Sequence, residues 1–230
     1  MYLSRIKLDT SREAKRAIAS PQIIHASIEA CFDRSGRNLW RLDYLRDNFY
    51  LLLVSETVPN FTSFAKQFCT EDGETKQYAP ILSRIKAGQQ LRFRLKGNTV
   101  HSKAGERGTR GKVLPHVTEY HKKEWLNDKS AANGFSVEDG SFDLIESGIQ
   151  RWSKKRPVTN ELSHKGSQLD AIEADNKQRR KDTMTVELTY GVFEGILTVV
   201  DADLFVNALT HGIGRAKAYG CGLITVMGVQ

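Results

Sequence analysis

HGIGRAKAYGCGLITV, residues 211–226, decides how the rest of the chain is to be read. Four glycines, Gly212, Gly214, Gly220 and Gly222, fall within eleven residues, beside the cations Arg215 and Lys217. Glycine gives up side-chain contact and costs backbone entropy, so this density implies main chain in tight turns or pressed close to something. The order of elements excludes two familiar phosphate-binding loops. A dinucleotide fingerprint and a Walker A loop both place their glycines between a strand and the helix after it. Here Leu204, Phe205, Ala208 and Leu209 show helical spacing before the glycines, and the apolar run 223–229 reads as a strand after them. The predicted order is helix, glycine loop, strand. Two roles stay open for such a loop: a tight helix-to-strand connection, or a side-chain-poor basic surface for a phosphate backbone.

Upstream, TMTVELTY (183–190) alternates, with Met184, Val186, Leu188 and Tyr190 opposed to Thr183, Thr185, Glu187 and Thr189. Phe193, Gly195, Leu197 and Val199 alternate in a following strand. A helix is predicted over 119–127 and a strand within 136–150. The first half begins with a strand at 2–8. Ser20 and Pro21 then resemble an N-cap with proline at the first helical position, followed by Ile24, Ile28 and Cys31 at helical spacing. LWRLDYL and FYLLLVS, joined by Arg46, Asp47 and Asn48, predict a hairpin; a helix over 60–68 and the alternating QLRFRLKG of 90–97 complete βαββαβ. The second half nearly repeats it. The expected fold is α+β, two tandem ferredoxin-like (RRM-like) domains over 1–98 and 99–230, with the boundary within 97–115. The second domain carries a basic insert at 151–182 and the glycine loop at 212–222.

Composition narrows the partners. The 230 residues are 40% hydrophobic with a net charge of +7, the footprint of a chain that binds polyanions. The charge is concentrated: residues 84–123 hold eleven Lys or Arg against Glu106 and Glu119, and 151–182 hold nine against five acids. Two such segments favour a nucleic-acid surface over a merely solvated face. Three cysteines without a C-x-x-C pattern give no disulfide framework and no zinc site, as expected in a reducing cytoplasm. His116 and His121, five apart, lack the neighbours a metal needs. MYLSRIK has no signal-peptide core, and the longest apolar run is far short of a membrane span. Stacking aromatics are sparse in the basic segments, with Trp125 and Trp152 near them, so recognition through duplex shape and phosphates is expected.

These residues carry a resemblance. MYLSRIKL, a histidine helix followed by WRLD, LRFRLKGN, and above all FEGILTV…HGIGRAKAYGCGLITV are similar to the CasE family, the CRISPR-repeat endoribonucleases of the type I-E Cascade complex within the RAMP superfamily. Gly212, Gly214, Ala216, Lys217, Gly220, Cys221, Gly222 and Leu223 fit that family's G-x-G-x-A-K-x-x-G-C-G-L. The resemblance implies binding of a repeat RNA hairpin and one cut at the 3′ base of its stem. It implies attack by a ribose 2′-hydroxyl, no metal and no cofactor, and retention of the product among other Cascade subunits. It also implies that the glycine loop contacts RNA.

The resemblance assigns the catalytic histidine to His25, a residue type whose ordinary pKa suits either proton role. In several family members a tyrosine stands three residues earlier, where this chain has Gln22, which cannot exchange a proton near neutral pH. The second proton role is therefore open, with Gln22, Arg34, Ser35, Arg37 and Lys217 as possible assistants; Ser27 also lies near. A second departure is Thr99, where the family usually has proline. The expected RNA contacts are Gly212, Gly214, Arg215, Lys217, Gly220, Gly222, Arg92, Arg94, Lys96, Lys103, Arg107, Arg110, Lys112, Lys154, Lys155, Arg156, Arg179, Arg180 and Lys181. Three functions follow from different classes: a metal-independent endoribonuclease, a non-cutting RNA-binding scaffold, and a metal-dependent nuclease, which would need a carboxylate cluster that the sequence does not show.

Overall fold

The computed structural model describes residues 1–34, 36–69, 71–105, 111–155 and 183–229. Ser35, Arg107, Arg110, Arg156, Arg179, Arg180 and Lys181 lie outside the described residues. One compact unit comprises Met1–Gly148 with Thr189–Gln230, and Ile149–Leu188 forms a second, smaller one.

Two ferredoxin-like sheets build the larger unit. In the first, β1 (Tyr2–Lys7), β2 (Leu39–Leu45), β3 (Asn48–Ser55) and β4 (Glu74–Gln77) lie antiparallel in the order β4-β1-β3-β2. Helices α1 (Arg12–Ala19) and α2 (Pro21–Glu29) connect β1 to β2, and α3 (Thr62–Phe68) leads from β3 to β4. A short helix, α4 (Ala79–Leu82), leads to the second sheet. That sheet contains β5 (Gln90–Asn98), β8 (Phe135–Ser136), β9 (Phe142–Lys155), β10 (Thr183–Val199) and β11 (Ile224–Gly228). Its order is β11-β5-β10-β8, with β9 also on β10. Between β5 and β8 run the hairpin β6 (Val100–Lys103) and β7 (Lys112–Pro115) and helix α5 (Glu119–Ala132); α6 (Ala202–His211) follows β10.

The run YLLLV at 50–54 is explained by burial on both faces. Leu51 and Leu53 pack with Ile6, Ile24, Ile28 and Trp40 under the helices. Leu52 and Val54 pack with Leu39, Leu95 and Leu223 toward the second sheet. A strand covered on both sides reads as an unbroken apolar run. Arg46 (φ 48°) and Asp47 (φ 61°) form the two-residue left-handed turn between β2 and β3. Asn48 already belongs to β3.

The structure corrects the predicted elements in four places. Gln90–Asn98 opens the second sheet instead of closing the first, pairing with β10 and β11. Its buried Leu91, Phe93 and Leu95 would suit either sheet, and alternation alone does not choose. The first sheet is closed by β4, whose ETKQ is polar and carries no apolar alternation. A helix, α1, precedes α2; its N-cap Ser11 accepts the Ala14 N–H through Oγ at 3.1 Å. The two strands predicted within 183–199 are one, in unbroken register from Tyr190↔Asn98 to Thr198↔Gln90. Their alternation changes phase because Leu188 and Val192 are buried on one face and Thr189 and Phe193 on the other. Finally, α5 runs on to Ala132.

One buried arginine joins the sheets. The Arg41 guanidinium, on β2, donates to both carboxylate oxygens of Asp43 (2.7 and 2.8 Å). It also donates to the carbonyls of Arg94 (2.7 Å) and Leu223 (2.8 Å) and to Thr225 Oγ1 (2.8 Å). Every partner outside β2 belongs to β5 or to the β11 segment, so a side chain that is 1% exposed holds the second sheet to the first.

Candidate active site

Helix α2 sets the first half of the site. Ser20 is its N-cap, though without a side-chain cap bond, and Pro21 stands at the first helical position. Ile24 and Ile28 are fully buried and fix the helix on the first sheet. Gln22, His25 and Glu29 then share another stripe, three and four residues apart. His25 lies in the second turn, beyond the free N–H groups of the helix start, and its side chain is 35% exposed. Its Nδ1 stands 3.8 Å from Glu29 Oε1, while Asn38 Nδ2 donates to that same oxygen at 3.1 Å. Both His25 Nδ1 and Gln22 Oε1 are enclosed with no hydrogen-bond partner in the protein. Two neighbouring buried polar atoms without partners call for an explanation, and a bound polar group is one.

The glycine loop sets the second half. Gly212, Gly214, Gly220 and Gly222 all have positive φ, and Ala216 is left-handed as well. The requirement is sharpest at Gly222, where a Cβ would fall 2.7 Å from the Ile213 carbonyl oxygen. Hydrogen bonds from Ile213 N to Gly222 O (2.9 Å) and from Gly222 N to Lys96 O (2.8 Å) lash the loop to β5. Thus the loop is first of all a tight connection packed on protein. That packing turns the 3₁₀ segment Lys217–Tyr219 toward α2. The Tyr219 ring meets the His25 ring edge-on, 6.4 Å between centroids and 71° between planes. Burial lowers the Lys217 pKa, and the Arg37 guanidinium lowers it further.

Helix α2, which carries His25 and Gln22, therefore meets the Lys217–Tyr219 turn from far along the chain, and Arg37 is close enough to Lys217 to lower its pKa. Arg34 is exposed in the segment after α2, and Ser27 is half-buried on it. Tyr219 was not singled out from sequence, because it fills a variable place in the glycine motif; being the loop's one aromatic was its only signal. Burial pushes the thiols of Cys31 up to about 11 and of Cys69 and Cys221 up to about 12, so none is poised as a nucleophile. Among the described residues no group of three His, Cys, Asp or Glu is arranged to hold a metal ion. Thr99 has a use for not being proline: its N–H donates to Thr189 O at 3.2 Å.

The expected RNA-facing cations divide. Arg94 pairs with Glu194 (2.9 Å) and Asp43 (3.4 Å), and Lys96 lies 4.3 Å from the centre of the Tyr190 ring. Arg92 and Arg94 line a cleft of about 620 Å³ whose carboxylates, Asp43, Asp143 and Glu194, make it mixed in charge. Lys103 and Lys112 are exposed and directly opposite each other on the β6–β7 hairpin. Arg215, also exposed, donates to Ser102 Oγ on that hairpin at 3.1 Å. Lys154 and Lys155 lie on β9 in the smaller unit.

A family described as CRISPR associated protein matches residues 1–227. The chain is 28% identical to the CRISPR-associated endoribonuclease Cse3 of Thermus thermophilus, over 98% of this chain and 99% of that protein. It is 25% identical to the CRISPR system Cascade subunit CasE of Escherichia coli, over 77% of this chain and 73% of that one. The solved structure of CRISPR endoribonuclease Cse3 bound to 19 nt RNA shares the fold, with a TM-score of 0.74 at 24% identity over 99% of this chain and 100% of that one.

Proposed function

The chain belongs to the CRISPR-associated protein family, and on that premise we propose that it is a metal-independent endoribonuclease that binds the hairpin of a CRISPR repeat RNA and cuts the precursor at the 3′ base of the stem. One relative is named as an endoribonuclease and another as a Cascade subunit, which supports a protein that keeps its cut RNA within that assembly. The observation that carries the reading is the meeting of α2 with the Lys217–Tyr219 turn, which sets the His25 ring beside that of Tyr219 with Gln22 Oε1 enclosed and unpartnered on the same helix.

The chemistry asks for a group to take the 2′ proton, a group to protonate the 5′ leaving oxygen, and positive charge at the phosphorane. His25 Nδ1 faces Glu29 at 3.8 Å, which leaves Nε2 as the base. Gln22 Oε1 can accept from a ribose hydroxyl. Lys217, with its lowered pKa, is fitted to give the second proton, and Arg37 adds charge. Tyr219 buttresses the imidazole. Outside this site we assign RNA contacts to the main chain of Gly212, Gly214, Gly220 and Gly222, to Arg215, Lys103 and Lys112, and to the cations of 151–182. Arg94 and Lys96 are already engaged within the protein.

Single-turnover incubation with repeat RNA tests the proposal. The expected result is one discrete cut that persists in excess chelator, leaves a 2′,3′-cyclic phosphate and a 5′-hydroxyl, and is blocked by 2′-deoxy substitution just upstream. Binding without a cut would favour the scaffold instead. Activity lost in chelator and restored by magnesium would overturn the metal-free route.

A further inference from the structure

On its other flank the glycine loop borders a cleft outside the active site. It has a volume of about 270 Å³ and is lined by Asn98, His101, His116, Lys129 and Arg215 among others. Three imidazoles form a ladder here. The rings of His101 and His116 are 4.7 Å apart, those of His116 and His121 are 6.0 Å apart and stacked, and Tyr120 continues the series 5.5 Å beyond His121. The ladder is held in place: His116 N donates to Thr99 O at 2.9 Å, and His121 Nδ1 shares a 2.7 Å hydrogen bond with Thr118 Oγ1. Burial lowers the His116 pKa, as do its neighbours His101 and His121, against a smaller opposing effect of Asp128. Its ring therefore takes up a proton less readily than an ordinary histidine and offers a face more than a charge. Lys129 and Arg215 supply cations, and Asn98 Oδ1 is enclosed with no partner in the protein.

Two imidazoles 4.7 Å apart and tilted by 41°, two cations, the Asp128 carboxylate and an unpartnered acceptor in a cleft this small match one nucleotide. Its base can stack on the imidazoles, and its phosphate can meet Arg215 and Lys129. The sequence offered no stacking platform, because the rings are supplied by histidines 101, 116 and 121, which only the fold brings together.

We propose that this cleft binds a single unpaired nucleotide through stacking on His101 and His116 and phosphate contact with Arg215 and Lys129. Resting on the RNA-cleavage reading, it would hold a nucleotide flanking the hairpin stem; the same chemistry could come from a free 5′-mononucleotide. The test compares the affinity of the bare hairpin with that of hairpins carrying one unpaired nucleotide at either end. One flank should tighten binding by about 5- to 150-fold, the worth of stacking one base. His101→Ala with His116→Ala should abolish that gain while binding the bare hairpin with wild-type affinity, which shows that it is folded. His101→Phe with His116→Phe should keep the gain. A gain that survives the alanine pair overturns the proposal. In parallel, adenosine and cytidine 5′-monophosphates and inorganic phosphate are titrated while imidazole resonances are followed by NMR. Shifts of His101 and His116 with the nucleotides, without any gain from a flank, support the free-nucleotide source. No shift together with no gain, or equal shifts with inorganic phosphate, overturn the site. Failure of the bare hairpin to bind at all would sink the RNA-cleavage reading, leaving the mononucleotide arm to judge the cleft.

Discussion

Lys217 is the residue whose surroundings say most about its chemistry. Burial and the Arg37 guanidinium both disfavour its charged form, so its proton leaves at a lower pH than that of an ordinary lysine. If it protonates the leaving oxygen, the cleavage rate falls as pH rises through that lowered pKa. Lys217→Arg keeps the charge but has no proton to give, and should slow cleavage by about 10²- to 10⁴-fold with hairpin affinity preserved. His25→Ala should do the same without loss of thermal stability, because its ring is a third exposed and leaves no core cavity. Wild-type rates in both variants, read by single-turnover assay, would remove the pair from the mechanism. His25 was singled out in sequence because the family resemblance marked it. Its neighbour Tyr219 was not, because a variable motif position carries no message until folding sets two rings edge to edge.

At the scale of elements, the join between the sheets is the part that sequence conceals. Arg41 in LWRLDYL looks like a cation on an exposed strand face, yet it is buried with five hydrogen bonds. Arg41→Met leaves the Asp43 carboxylate buried without its bidentate partner and the carbonyls of Arg94 and Leu223 without their donor. The expected cost is about 3–5 kcal/mol in denaturant unfolding. Asp43→Leu in the same background should recover much of it, since the buried carboxylate that Arg41→Met leaves behind keeps only its longer 3.4 Å contact with Arg94. Equal losses in the single and double variants would mean that the carbonyl bonds, not the ion pair, hold the join. The start of α2 and the β2–β3 hairpin were legible from local chemistry, whereas α1 and the unity of β10 were not. The ownership of β5 was not, since pairing is a nonlocal fact and the strand that does close the first sheet is four polar residues long.

Over the whole molecule, net charge was the most legible property and its distribution the least. A surplus of +7 announced a polyanion, but Arg94 and Lys96 are spoken for inside the protein while Lys103, Lys112 and Arg215 remain exposed. Neutralising Lys103 and Lys112 together should therefore weaken hairpin binding and lower the logarithmic salt slope by roughly 0.7–0.9 for each phosphate no longer neutralised. Titrations at several salt concentrations check this, and an unchanged slope would move the RNA off that hairpin. The placement of His25 near one end of the chain and Lys217 near the other has a consequence for synthesis. A nascent polypeptide carries His25 long before Lys217, so a product that stops short of the lysine cannot assemble the centre proposed above. On that proposal nuclease activity would be withheld from any product truncated before Lys217, with chain order itself acting as the safety catch.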